Sequence, residues 1–186
     1  QRSGRRCAPT KTSSSTAAST SVRLSTTGKG LRNRGEIETA ASTAKPSATP
    51  TLAQVMEAAG RTLAATPLLG TALIGAVALD RGGSEAQKSE HFPGLVGGER
   101  LFALALEEHP HHNPYRIATT ARRDGAGWGP NGAKQFVLDG HVADTLIVVA
   151  RTAGAERDRN GITLFLVPGG AAGVSRRRSI MVDSRN

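Results

Sequence analysis

The chain has 186 residues, with 24 Lys and Arg against 15 Asp and Glu and a single cysteine. Its charge of +9 is unevenly placed: residues 1–50 hold nine basic and two acidic side chains (+7), leaving 15 against 13 (+2) for the rest. A nearly neutral body argues against a nucleic-acid surface, which gathers basic residues on one folded face. The lone Cys7 excludes an internal disulfide framework.

The longest apolar run, Thr66 to Leu79, is too short to cross a bilayer as a helix, and no secretory signal peptide is visible. The expectation is a soluble, cytoplasmic protein. Residues 1–50 are rich in Ser, Thr, Ala and Arg, with no acid before Glu36 and no period that would bury a face, so disorder is expected there. Two sources fit that composition: an organelle transit peptide, or an unstructured or misread low-complexity arm.

At Thr51 the character changes. Leu52, Val55, Met56, Ala59, Leu63 and Ala64 recur at helical spacing between Pro50 and Pro67, which predicts a helix from about Leu52 to Ala65. A second helix is expected from about Pro67, with proline in its first turn, to the Gly82-Gly83 stop. Ser84 and Gln87 form a capping-box pattern for a third, from Glu85 to about His91, with Pro93-Gly94 turning the chain.

From Leu101 the pattern is that of strands. Phe102–Leu106, Ile117–Arg122, Lys134–Leu138, Thr145–Arg151, Ile162–Val167 and Val174–Val182 follow at roughly ten-residue spacing. Asp124-Gly125 and Asn131-Gly132 are hairpin dipeptides. This spacing favours an antiparallel barrel or sandwich over a parallel sheet. The fold class is therefore α+β, divided into an arm (1–50), a helical part (51–100) and a β-domain (101–186). The chain ends soon after a strand-like segment, and a truncated domain is expected.

Few residues offer chemistry on their own. Gly125 to Pro130 fails as a dinucleotide loop, because Pro130 stands where the third glycine is needed and a strand follows instead of a helix. His109, His111 and His112 lie beside Glu107 and Glu108, but neighbours on one stiff segment rarely converge on one metal. On a strand end Glu107 and Glu108 point to opposite faces and cannot act as a pair. No nucleophile–base constellation can be assembled.

Several runs nevertheless resemble the acyl-CoA dehydrogenase family. Gly83-Ser84-Glu85-Ala86-Gln87-Lys88, Pro93-Gly94-Leu95-Val96 and Gly97-Gly98-Glu99 resemble the end of its N-terminal helical domain. Asp124 to Trp128, Asn131 to Lys134, Asp139 to Asp144, Leu146 to Thr152, Gly161 to Val167 and Gly173-Val174-Ser175 are similar to its central β-domain. The branch most similar is the group containing the small subunit of pimeloyl-CoA dehydrogenase.

The resemblance implies an FAD flavoenzyme that oxidises an acyl-CoA to its 2,3-enoyl product, a carboxylate base taking the α-proton while the β-hydride passes to flavin. It further implies an electron acceptor such as an electron-transfer flavoprotein, and an oligomer when full length. The base belongs to a C-terminal helical domain beyond this fragment, so none can be named. A non-catalytic partner subunit of such a dehydrogenase is the alternative.

Carried over by position, the expected cofactor-binding residues are Leu106, Glu107, His112, Asn113, Phe136 and Leu138. Glu107-Glu108-His109 stands at the family's Thr-Glu-Pro, so only Glu108 is kept. Lys134-Gln135-Phe136-Val137-Leu138 stands at its Lys-x-Trp-Ile-Thr. Phe136 retains an aromatic wall, whereas Leu138 lacks the hydroxyl.

Overall fold

A computed structural model describes residues 21–25, 29–30, 49–125 and 127–179. Helix α1 (Thr49–Arg61) occupies most of the first expected helical segment. Its apolar stripe is only partly covered, with Leu52, Met56 and Ala59 half-buried and Val55 exposed.

The second expected helix takes two forms. A π-helical segment, Leu69–Gly75, runs directly into α2 (Ala76–Gly82). Gly70 and Gly75 stand five apart, the span of a π-helical hydrogen bond, and both face Phe102. A Cβ on Gly75 would lie 2.7 Å from Phe102 Cβ, and one on Gly70 would lie 3.1 Å from the Phe102 carbonyl oxygen. Thr71 Oγ1 accepts from the Phe102 N–H at 3.0 Å and donates to its carbonyl at 3.3 Å. Small residues thus let the helix backbone lie against the first strand of the core.

Helix α3 (Glu85–Val96) starts at the expected capping box, with Gln87 N–H donating to Ser84 Oγ and Ser84 N–H to Gln87 Oε1. It does not turn at Pro93-Gly94 as expected. Pro93 lies inside the helix, and the chain leaves only at Gly97 and Gly98, the latter at φ 72°. The Gly94 carbonyl accepts from both Glu99 and Arg100, which closes this end without a break at the proline.

Eight strands form one sheet: β1 (Ser21–Ser25), β2 (Lys29–Gly30), β3 (Phe102–Ala105), β4 (Thr120–Asp124), β5 (Gly127–Lys134), β6 (Thr145–Arg151), β7 (Ile162–Pro168) and β8 (Ser175–Arg177). Their order is β2-β7-β6-β4-β5-β1-β8, with β3 also on β6. Most pairings are antiparallel. Two are parallel, because β3 and β4 follow each other along the same edge of β6: Phe102 to Ala105 pair with Thr145 to Val148, and Thr120 with Arg151.

Three expectations are corrected. The arm carries strands, since β1 pairs with β5 and β8, and β2 with β7. Ladder bonds use backbone groups, so an apolar period was not required for them. Asn131-Gly132 is not a turn but lies within β5, paired to Thr120 on one side and to β1 on the other. A Cβ on Gly132 would fall 2.4 Å from Thr119 Oγ1, so this glycine serves close strand approach. The expected strand Lys134–Leu138 ends at Lys134, because Phe136 and Asp139 are left-handed, at φ 51° and 56°. Asp124-Gly125 does turn the chain, with Gly125 at φ 57° between β4 and β5. Cys7, Val182 and the remainder of the arm lie outside the described residues.

Every residue of β6 is buried, and strand alternation divides them between two layers. Leu146, Val148 and Ala150 face Ala103, Ala105, Phe165 and Val167 in the inner core, against which Trp128 packs. Ile147 faces the helices with Phe102, Leu166 and Leu79. His91 meets Phe102 edge-on in that outer layer, with ring centroids 5.7 Å apart. The sheet is therefore covered by helices on one face and folds onto itself on the other.

Candidate functional site

The site is built where β3 ends and where β5 ends. Gln135 joins the two: its N–H donates to the Glu107 carbonyl at 2.7 Å, and its side-chain amide donates to the Glu108 carbonyl at 3.0 Å. Beneath this junction lies a buried ion pair. Lys134 Nζ donates to Glu108 Oε1 at 2.6 Å and to the Leu106 carbonyl at 3.1 Å, with 0% of the lysine side chain and 5% of the glutamate exposed. The Glu108 carboxylate also accepts the backbone N–H groups of Ala118 at 2.6 Å and Thr119 at 2.9 Å.

Burial alone would raise the Glu108 pKa. The hydrogen bond from Lys134 leads the opposing interactions, which together hold the carboxyl below its ordinary value. Burial also pulls the Lys134 ammonium down, against the attraction of Glu108. The pair is one unit, because neither charge has water to fall back on.

The expected site residues divide around this knot. Leu106 is half-buried and lines a cavity. Glu107 turns the other way from Glu108, and its carboxylate pairs with His112 Nδ1. His112 and Asn113 are exposed, and the Asn113 carbonyl accepts from Arg116 N–H at 3.1 Å. Phe136 and Leu138 flank the buried Val137 and are 41% and 37% exposed. Leu106, Glu107, His112 and Phe136 therefore belong to one junction. Leu138 stands one step along the chain, with its carbonyl beside Gly70 of the π-helical segment.

The cavity, about 590 Å³, is of a size suited to a small ligand. Its walls are Leu73, Ile74 and Val77 from the helices and Leu104, Val149 and Leu164 from the sheet. Tyr115 and Arg159 also line it, the guanidinium 4.8 Å from the ring centroid.

Sequence reasoning missed the group that shapes this rim. Arg151, 4% exposed, donates to six backbone carbonyls and to no carboxylate. Those of Tyr115, Glu156, Asp158 and Asn160 lie at 2.9–3.2 Å, so one planar fork folds the loop 152–161 onto residues 115–117. Arg116 Nε adds a 2.6 Å bond to Glu156, and chiefly through that bond the Glu156 carboxyl is held below its ordinary value. A signal for both hidden cations was present: Lys134 is the only charge between Asp124 and Asp139, and Arg151 the only one between Asp144 and Glu156.

Among the described residues no cluster of three His, Cys, Asp or Glu could hold a metal ion, and no helix is long and apolar enough to cross a membrane.

Residues 104–182 match the model of the acyl-CoA dehydrogenase middle domain. The pig long-chain specific acyl-CoA dehydrogenase, mitochondrial, is 35% identical over 100 residues, covering 53% of this chain and 23% of its own length. The isovaleryl-CoA dehydrogenase, mitochondrial, of Pongo abelii is 36% identical over 104 residues, covering 55% and 25%. A solved variant of the Tcur3481-Tcur3483 steroid ACAD superposes with a TM-score of 0.53 at 29% identity, covering 59% of this chain and 29% of that one. The chain thus spans about a quarter of the curated relatives it matches. Over residues 104–182 it is thus similar to the middle domain of acyl-CoA dehydrogenases.

Proposed function

We propose that the chain is the flavin-side portion of an FAD-dependent acyl-CoA dehydrogenase, which converts an acyl-CoA thioester to its 2,3-enoyl product. The observation that carries this is the junction at Gln135, which sets an exposed aromatic residue, Phe136, at the strand end Leu106-Glu107, where Leu106 lines an apolar cavity. Phe136 fits a planar ring system: its backbone is pinned on one side while 41% of the residue stays open. The exposed Leu138 fits the same ring as an apolar neighbour, without donating a bond.

When bound, the flavin supplies the hydride acceptor. This chain's own residues orient and desolvate. Leu104, Leu106 and Val149 offer walls that exclude water from an acyl chain. Glu107, tied to His112, sets the polar edge of the junction. Residues 51–100 are assigned to the helical domain and 101–186 to the β-domain, with the base supplied elsewhere in the enzyme and electrons leaving to an electron-transfer flavoprotein. The finer placement beside the small subunit of pimeloyl-CoA dehydrogenase rests on the order of the motifs.

The test is flavin content. The full-length gene product is expected to purify yellow and to take up FAD again after stripping. A protein that stays colourless in excess FAD contradicts the proposal.

A further inference from the structure

We infer that Glu108 and Lys134 are a positioning pair that holds Phe136 in its left-handed backbone conformation and so presents its ring to a planar ligand. The inference rests on the flavin-side reading above and adds to it the device that aims the ring.

Phenylalanine at φ 51° is an unfavourable backbone state that persists only where its surroundings over-determine it. Those surroundings hold it from both sides. Lys134, two residues earlier, is anchored to the Leu106 carbonyl and the Glu108 carboxylate. Gln135 is held at both its backbone N–H and its side chain by Glu107 and Glu108. On the far side the Gly140 N–H closes a turn on the Val137 carbonyl at 3.0 Å. Between these anchors Val137 is buried, and Phe136 has nowhere to go but outward.

A pair serving stability alone would not need this arrangement. Glu108 is fixed by the amides of residues 118 and 119, and Lys134 reaches across to the end of β3, so the two charges tie residues 106–108 and 118–119 to the strand end two residues before the strained one. Replacing a buried ion pair by neutral side chains of similar size is often close to neutral for stability. It would nevertheless remove the anchor.

Three variants of the full-length protein decide the matter: Phe136→Leu, Lys134→Met and the double Glu108→Gln/Lys134→Met. Three readouts are taken: the melting temperature of the apoprotein, the FAD dissociation constant, and hydrogen exchange at the Gln135 amide. Phe136→Leu is expected to weaken FAD about tenfold, the scale of an aromatic stacking contact, with the melting temperature kept. Lys134→Met lowers the melting temperature. The double variant recovers most of it, yet its Gln135 amide exchanges about tenfold faster while β6 keeps its protection, and FAD stays about tenfold weaker.

Parental Gln135 exchange and parental FAD affinity in the double variant would overturn the inference. If the parent binds no FAD, the functional reading falls, and Gln135 exchange still decides whether the pair does the pinning.

Discussion

Lys134 and Arg151 each stand at the end of a strand as a buried cation, and they are satisfied in opposite ways. Lys134 meets a carboxylate and one carbonyl, whereas Arg151 meets six carbonyls and no carboxylate. The lysine, a compact point charge, ties strand ends together at the candidate flavin side. The arginine, a planar fork, shapes a loop at the cavity rim. Charge neutralisation matters in the first region, and geometry in the second.

The sharpest way to break this contrast is to remove one partner of the ion pair. Lys134→Met strands a buried carboxylate and is expected to cost about 3–5 kcal/mol of unfolding free energy, read from urea denaturation. Arg151→Lys tests the other region. It keeps the charge but cannot reach six acceptors, so a loss of about 1–3 kcal/mol is expected, with new proteolytic cleavage in residues 152–161. Equal losses with no change in cleavage would erase the distinction.

Acid tests the first region. The folded-state pKa of Glu108 is lowered, so its stabilising contribution is complete above its ordinary value of 4.5 and fades as pH falls through the lower folded value. Urea midpoints should therefore drop on acidification, and the drop should shrink in Glu108→Gln. Arg151 touches no carboxylate directly, so Arg151→Lys should leave the Glu108-dependent part of that drop unchanged.

Smaller effects calibrate the scale. Thr71→Val leaves the Phe102 N–H without its acceptor, for about 1–2 kcal/mol in thermal unfolding. Glu57→Ala breaks an exposed i,i+4 pair with Arg61 and is expected to cost no more than about 0.5 kcal/mol.

These differences also explain what the sequence could reveal. Helix starts and strand alternation are local, so the Ser84 cap, the Asp124-Gly125 turn and the β6 and β7 strands were legible. Long-range proximity was not. Nothing near Gly132 announces Thr119 above it, and nothing near Pro93 announces a helix that continues through it. The strands at residues 21–25 and 29–30 use backbone pairing, which leaves no composition signal. At the site, the resemblance named Leu106, Glu107, His112, Asn113, Phe136 and Leu138 by position but not the contacts that join them, and Lys134 and Arg151 remained hidden because lone cations in apolar runs do not name their acceptors.

The measurement that bears most directly on the central claim is an anaerobic titration of the full-length, FAD-loaded protein with acyl-CoA thioesters, followed by flavin absorbance. Bleaching that tracks one molar equivalent of a 2,3-enoyl product is the predicted result. A flavin that stays oxidised across acyl-CoAs of different chain length, with no enoyl product, would contradict the account.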